Sequence, residues 1–190
     1  RAAFNVNACY LNFGLQWMAK MKHLEVLHLC RWLQHSVSHH IEVENEEFLK
    51  ELEGQKYLKY LSLCRISRIS ERPPSIFQHE SLETDLKACY NLETLPNDIA
   101  SLRKLRCLDL SQCYLLDRML KGIENLTELQ VLKGFVVGSS SKNPSTISDL
   151  ANLKKLEQLS IHIGSEVVIR DREFESLKEL SALEHLKISS

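Results

Sequence analysis

The stretch Leu105-Arg106-Cys107-Leu108-Asp109-Leu110-Ser111-Gln112-Cys113-Tyr114-Leu115 decides the fold of this 190-residue chain. It fits the pattern L-x-x-L-x-L-x-x-C-x-L at every fixed position. In the x-L-x-L-x part, successive side chains of a short strand face opposite ways, so the leucines face a core and their neighbours face out. The second leucine of the pair, or its substitute, recurs at Leu29, Leu63, Leu86, Leu110, Gly134, Ile161 and Ile188.

The period of this pattern predicts a solenoid. After a first step of 34 residues, the pattern returns every 23 to 27 residues, within the range of about 20–29 residues that is typical of a leucine-rich repeat. We therefore predict an α/β fold, a leucine-rich-repeat solenoid of about seven repeats that occupies residues 1–190 as one domain. A curved parallel sheet forms its concave side, and short helices and turns form its convex side.

Several segments interrupt the regular pattern. Residues 1–20 are irregular, as in a degenerate N-terminal repeat, and residues 30–51 form an inserted loop rich in histidine and glutamate. Residues 138–146 are mostly small and polar, so we expect a flexible loop. In Leu82-Glu83-Thr84-Asp85-Leu86 one residue is missing relative to the neighbouring repeats. Since a one-residue slip exchanges the two faces of a strand, we expect this strand to be strained, bulged or partly lost.

The composition argues against a nucleic-acid or membrane partner. The net charge is -1, so no basic surface for nucleic acid is evident, and no apolar run approaches the roughly 20 residues that span a bilayer. The six cysteines follow the repeat rather than close pairs, so we expect reduced, structural thiols. Because the chain lacks an initiator Met and polar caps at its ends, we expect it to be a fragment of a longer protein.

No constellation of residues predicts catalysis. The sequence has no glycine-rich phosphate loop, so we expect this segment to bind no nucleotide or other cofactor. His35, His39 and His40 lack the cysteine or carboxylate that would complete a zinc site, so we expect no metal. Asp85 and Asp109 occupy adjacent outward positions without a nucleophile or an oxyanion-stabilising motif. We therefore predict that the chain is not an enzyme.

The outward positions of the strands form the predicted partner-binding surface. Strand alternation puts Thr84 in one outward row with Tyr60 and Cys107, and Phe135 in another with Ser111 and His162. The rows carry mixed charge, which suits a protein partner, and apolar anchors are concentrated towards the N-terminal end. We therefore predict that residues 26–43 and Tyr60 dock a protein.

The candidate contact residues are Val26, His28, Trp32, Ile41, Tyr60, Asp109, Lys133 and Phe135. Trp32 and Ile41 lie in the inserted loop, and the others lie on or beside predicted strands. For Trp32 the alternative stays open that it only pins the inserted loop onto the solenoid.

The sequence also resembles a known family. The L-P-x-x-I turns and the stretch Leu129-Gln130-Val131-Leu132-Lys133-Gly134-Phe135-Val136-Val137-Gly138 resemble the leucine-rich-repeat region of plant coiled-coil nucleotide-binding disease-resistance proteins. Ala88-Cys89-Tyr90-Asn91-Leu92-Glu93, Cys113-Tyr114-Leu115-Leu116-Asp117 and His40-Ile41-Glu42-Val43-Glu44 resemble its RPP13-like subgroup, which includes the HopZ-activated resistance protein. The chain departs from the family pattern at the missing strand residue, at His79, and at Leu120, where the family turn has proline.

This resemblance implies an intracellular immune receptor, an NLR. In that family an upstream nucleotide-binding module, which is not part of this sequence, holds ADP or ATP. The repeat region docks partners and keeps the receptor inactive. In the RPP13-like subgroup the partners are receptor-like cytoplasmic pseudokinases that report on bacterial effectors. The receptor is cytoplasmic and becomes associated with the plasma membrane on activation, and no direct membrane contact is expected of the repeat region.

Two other classes of protein stay open. One is the ectodomain of a secreted or cell-surface repeat receptor, for which Asn125-Leu126-Thr127 is a formal glycosylation sequon. That class usually has a glycine-bearing L-x-G-x-I-P turn and paired capping cysteines, and this chain has neither. The other is an intracellular repeat scaffold without a nucleotide-binding module.

Overall fold

Ten short strands in the described part of the chain carry the fold. The computed structural model describes residues 1–6, 8–12, 17, 20–30, 40–44, 51–66, 83–93, 95, 99–100, 102–116, 119, 121–138, 145–164, 167 and 171–190. The strands are β1 (Ala2–Phe4), β2 (Tyr10–Leu11), β3 (Val26–His28), β4 (Glu42–Val43), β5 (Tyr60–Ser62), β6 (Glu83–Asp85), β7 (Cys107–Asp109), β8 (Val131–Val137), β9 (Gln158–Ile163) and β10 (His185–Ser189).

Eight of these strands form one parallel sheet, in the order β1-β3-β5-β6-β7-β8-β9-β10. Each repeat adds one strand beside the previous one, which is the arrangement of a leucine-rich-repeat solenoid. The predicted fold class is therefore confirmed. The sheet has one strand more than the seven rungs counted in the sequence, because the opening segment contributes β1, whose Phe4 lies opposite His28.

Short helices lie on the side of the solenoid opposite the parallel sheet. Among the described residues they are the 3-10 helices Leu52–Gly54, Ile123–Asn125, Ile147–Asn152 and Ser176–Glu179 and the α-helix Asp171–Glu175. The helix Ile147–Asn152 begins with a capping box in which Thr146 and Asp149 each bond the backbone of the other, which satisfies free N–H groups at the helix start. The last three 3-10 helices stack on one another as the strands do.

Between the sheet and the helices lies one continuous apolar core. Most leucines at the start and middle of the repeats are buried. Leu105 and Leu108 have no exposed surface, whereas Leu186 on the last strand is 47% exposed. Burial of each such side chain stabilises the fold by about 1.5–3 kcal/mol relative to its exposure. Because the strands on both sides supply the contacts of Leu108, no repeat builds this core alone.

Strand β6 is regular, so the expected strain or loss of this strand was wrong. Thr84 lies between Leu61 of β5 and Leu108 of β7 and is 1% exposed. Thr84 therefore takes the inward leucine position, and Glu83 faces outward beside Tyr60. The residues before Glu83, which include His79, lie outside the described residues.

Strand β8 contains a bulge that changes the predicted register. Leu132 pairs with Leu159, but the next pair joins Phe135 to Ile161, so β8 carries one extra residue. Gly134 takes up this residue with a φ of 75°, a conformation that glycine adopts at little cost. Phe135 is consequently fully buried, and the prediction that it faces outward was wrong. The inward position belongs to Phe135 and not to Gly134.

Residues 40–44 of the inserted loop pack against the flank of the solenoid. Ile41 donates its N–H to the carbonyl of Arg65 at 2.8 Å and bridges to Ile66, and β4 pairs with β2. Ile41 and Val43 are buried, whereas Glu42 and Glu44 are exposed, as expected for alternation along a strand. The prediction that Ile41 contacts a partner was therefore wrong.

The cysteines differ from the sequence expectation in one pair. Cys30 and Cys64 are joined by a disulfide with Cα atoms 5.2 Å apart, so the expectation of six reduced thiols was wrong for this pair. Cys89 and Cys113 are free and buried. Their thiols donate to the carbonyls of Leu63 and Leu86, both at 3.2 Å, and so link neighbouring repeats.

Candidate protein-binding surface

Aromatic side chains occupy the N-terminal end of the concave face. The rings of Phe4 and His28 lie 6.2 Å apart on opposite residues of β1 and β3. The rings of His28 and Tyr60 are 6.1 Å apart and stacked at 20°. Phe4 is 52% exposed, and His28 and Tyr60 are half-buried. We call Phe4, His28 and Tyr60 the aromatic platform. It offers rigid apolar surface of the kind that anchors protein partners.

Tyr60 is held in a partly desolvated position. Burial raises the pKa of its hydroxyl above the ordinary value of 10.0, and the nearby Asp85 carboxylate raises the pKa further. Both effects oppose ionisation of the hydroxyl, and a protonated hydroxyl can donate a hydrogen bond. Tyrosine in such a setting combines an apolar ring with a polar tip, which is common at protein interfaces.

Carboxylates follow the aromatic platform along the sheet. Asp85 accepts hydrogen bonds from the Ser62 hydroxyl at 3.1 Å and from the Lys87 N–H at 3.1 Å. Asp109, which pairs with Asp85 across the strands, accepts from the N–H of Ser111 at 2.9 Å. These bonds fix both carboxylates at the ends of their strands, so the middle of the face presents negative charge in a defined geometry.

The C-terminal part of the face is basic. Lys133 lies opposite Asp109, so the charge of the face changes from negative to positive between β7 and β8. Lys187 and His185 follow on β10, and the His162 ring on β9 lies 3.3 Å from the Ser189 hydroxyl. The face therefore runs from aromatic through acidic to basic side chains. A protein partner with several kinds of contact residue fits this sequence of chemistries better than a uniformly charged polymer does.

The structure places the predicted contact residues in three groups. Five of them lie on the concave strands and are half-buried: Val26, His28, Tyr60, Asp109 and Lys133. Ile41 and Phe135 belong to the core. Trp32 lies outside the described residues. The structure thus brings Val26, His28 and Tyr60 together at one end, while Asp109 and Lys133 form the junction of the acidic and basic parts.

Three outward residues were missed by the sequence reading. Phe4 belongs to the aromatic platform, and its strand β1, which pairs in register with β3, has only three residues and so shows no sequence period. Glu83 replaces Thr84 in the row of Tyr60. Val136 replaces Phe135 and pairs with His162. The last two required the register of neighbouring strands, which repeat counting alone does not supply.

The described residues carry no sign of metal or membrane chemistry. Within them, no three histidine, cysteine or carboxylate side chains are grouped as metal ligands. His40 lies 3.3 Å from Glu42, whereas His35 and His39 are outside the described ranges. No described helix is both long enough and apolar enough to cross a bilayer.

Comparison with known proteins identifies the repeat family of this chain. A family model described as a leucine-rich repeat region matches residues 6–190. Over 144 residues, or 75% of the chain, the sequence is 32% identical to Disease resistance RPP13-like protein 4 of Arabidopsis thaliana. The chain spans 17% of the length of that relative.

A solved structure shows the same fold. A leucine-rich-repeat protein of Leptospira interrogans superimposes with a TM-score of 0.56 over 88% of this chain and 42% of that protein, at 23% sequence identity. The chain therefore belongs to the leucine-rich-repeat family, and within it is related to a plant disease resistance protein.

Proposed function

We propose that this chain is the protein-recognition and autoinhibitory repeat region of an intracellular plant immune receptor that senses pathogen effectors. The observation that carries the proposal is an open concave sheet with an aromatic platform, in a chain related to a disease resistance protein. A leucine-rich-repeat fold is a scaffold for protein interaction, and the family likeness supplies the biological setting.

The proposed partner is a receptor-like cytoplasmic pseudokinase, in line with the RPP13-like resemblance of the sequence. The aromatic platform supports a partner with an apolar contact, because aromatic anchors supply a large part of the binding energy in many interfaces. A nucleotide-binding module of the full receptor, loaded with ADP or ATP, is the second proposed partner. In this proposal the receptor is cytoplasmic and reaches the plasma membrane only on activation.

Co-precipitation of the full receptor with candidate pseudokinases tests the proposal. Variants Tyr60→Ala and His28→Ala remove two members of the aromatic platform. Both side chains are half-buried on the sheet surface, so we expect the solenoid to remain folded while binding falls by about tenfold or more. Circular dichroism of each variant checks the fold.

Tyr57→Ala is the matched control. Tyr57 is 55% exposed, and its ring centroid lies 5.1 Å from that of His23 with the ring planes tilted by 45°. Tyr57 lies in the turn before β5 and not on the concave strands. Loss of binding in the Tyr60 and His28 variants with retention in the Tyr57 variant supports the platform as the docking site. Unchanged binding in all three variants refutes it.

The disulfide between Cys30 and Cys64 favours a second candidate function, the ectodomain of a cell-surface repeat receptor. Disulfides persist mainly in oxidising compartments, and this bond joins two neighbouring repeats. Intact-mass analysis of protein isolated from plant tissue under alkylating conditions distinguishes the two candidates. An oxidised pair with a glycan on Asn125 supports the ectodomain, whereas reduced Cys30 and Cys64 without a glycan support the intracellular receptor.

A further inference from the structure

A cavity opens where the strands of the sheet differ in length. Strand β7 ends at Asp109, whereas β8 continues to Val137 and β9 to Ile163. The longer strands project past the end of β7 and leave a cavity of about 360 Å³ beside them. This volume lies in the range of about 300–1,000 Å³ that is common for ligand sites. We call it the exit-edge pocket.

The bulge in β8 shapes this pocket. Gly134 has no side chain, and a Cβ there would lie 2.6 Å from the carbonyl carbon and oxygen of Leu110. Its N–H donates to the hydroxyl oxygen of Ser160 at 2.8 Å. Since Ser160 accepts in that bond, its own O–H proton remains for another acceptor. Val136, which follows Phe135 on β8, contributes apolar surface to the lining.

Every polar side chain that lines the pocket can donate a hydrogen bond. No carboxylate is present among the described residues of the lining. Its polar members are Ser111, Gln112, Tyr114, Ser160, His162, Lys187 and Ser189. Lys187 forms no ion pair with any other described residue. The Tyr114 ring stacks on Tyr90 at 5.9 Å, with only 7° between the ring planes, so the aromatic wall of the pocket is supported from behind.

A second, larger cavity at the N-terminal ends of the strands has a different character. It includes Lys59 and Arg106 but also the carboxylates of Glu83 and Glu128. Lys59 is already bonded to Glu25 at 2.7 Å, and Arg106 to Gln130 at 3.0 Å. Its cations are therefore partly satisfied within the chain. In the exit-edge pocket, the Ser189 hydroxyl donates to the carbonyl of Ile161 at 3.4 Å, whereas Lys187 and the Ser160 hydroxyl proton have no acceptor among the described residues.

We propose that the exit-edge pocket binds a glutamate side chain from an acidic segment of a protein partner. The carboxylate meets Lys187 and the Ser160 hydroxyl, and the methylene groups pack on Val136 and Tyr114. Charge-assisted hydrogen bonds of this kind are roughly twice as strong as neutral ones. This inference rests on the proposed protein-recognition function. It adds a subsite for an acidic side chain at the opposite end of the face from the aromatic platform.

Nuclear magnetic resonance titration of the isotope-labelled 190-residue chain tests the pocket. The probe is the peptide acetyl-Gly-Ser-Glu-Glu-Ser-Gly-amide, and its control has glutamine in place of both glutamates. A third titration uses inorganic phosphate. We expect the glutamate peptide to shift the backbone amides of Gly134, Ser160 and Ser189, and to bind about tenfold more tightly than the glutamine peptide.

Two charge reversals separate a specific site from general attraction. Lys187→Glu should weaken binding of the glutamate peptide by about tenfold. Lys121→Glu changes the net charge equally but lies in the exposed turn before the helix Ile123–Asn125, so binding should stay within about twofold of the unmodified chain. Thermal melting confirms that both variants are folded.

Three results would overturn the proposal. They are equal binding of the glutamate and glutamine peptides, equal weakening by the two charge reversals, and shifts of the same amides by phosphate without any by the peptide. The last would assign the pocket to a small free anion. None of these results bears on the co-precipitation test of Tyr60 and His28, so failure of the pocket and failure of the proposed function are distinguishable.

Discussion

Phe135 lies opposite Ile161 across the pairing of β8 with β9, and its side chain is completely buried. The pair before it, Leu132 with Leu159, is three residues away on β8 but two on β9. A bulge therefore returns an apolar side chain to the core after an odd number of residues. This irregularity keeps the core continuous, and Gly134 and Val136, on either side of Phe135, line the exit-edge pocket.

Phe135→Ala should strongly destabilise the fold. The substitution leaves a cavity in a core that has no exposed surface at this position, and such changes cost about 3–5 kcal/mol of the free energy of unfolding. Val136→Ala, at a half-buried neighbour, should cost clearly less. Urea denaturation followed by circular dichroism measures both, and a lower midpoint for the Val136 variant would reverse the register assigned to β8.

Gly134→Ala should also destabilise the protein, because the backbone there requires glycine. Its φ is 75°, and an added Cβ would meet the Leu110 backbone at 2.6 Å, so we expect a loss of about 1–3 kcal/mol. Gly54→Ala is the control, since a Cβ at Gly54 meets nothing within 4 Å. Thermal melting should show a large decrease in Tm for the Gly134 variant alone. Equal decreases would contradict the close approach.

Thr84→Val should stabilise the protein. The Thr84 hydroxyl is buried and has no hydrogen-bond partner among the described residues. Burial of such an unpaired group costs about 1–3 kcal/mol of stability, and its replacement by a methyl group removes this cost. Ser62→Ala provides the contrast, because the buried Ser62 hydroxyl donates to Asp85 at 3.1 Å and its loss should be destabilising. A Thr84→Val variant with a lower urea midpoint would mean that the hydroxyl is satisfied.

The sequence was sufficient for the solenoid because the leucine period survives in nearly every repeat. Leu105, Leu108 and Leu110 occupy the buried positions that the pattern predicts. The same counting failed at Gly134, because a bulge inserts a residue without changing the apolar character of the stretch. Only the cross-strand pairs and the bond from Gly134 to Ser160 define the register there.

The candidate site was harder to predict because exposure depends on neighbouring chain segments. Ile41 looked like an anchor in an inserted loop, yet it bridges to Ile66 and is buried. Its alternation with Glu42 and Val43 was a visible sign of a half-buried strand. Phe4 was missed because a three-residue strand is too short for any period to show. His28 and Tyr60 were predicted correctly to lie on the concave strands, since they flank inward leucines.

The buried thiols should make stability depend on alkaline pH. Burial is the main cause that raises the pKa of Cys113 from 9.0 to about 11, and burial also raises the pKa of Cys89. The folded state thus holds these thiol protons more tightly than the unfolded state. The resulting stabilisation is complete below pH 9 and is lost as pH rises towards 11. The urea midpoint of the unmodified protein should fall across this window. The midpoint of the Cys113→Ala variant should fall less steeply.

Thiol reactivity gives a second readout of the same burial. Iodoacetamide reacts with the thiolate, so in native protein at pH 8 we expect fast modification of the exposed Cys9 and slow modification of Cys89 and Cys113. Peptide mass spectrometry after timed quenching gives the rate at each position. In urea the buried thiols should react as fast as Cys9 does. Equal rates in the native protein would place Cys89 and Cys113 in contact with solvent and would contradict their hydrogen bonds to the carbonyls of Leu63 and Leu86.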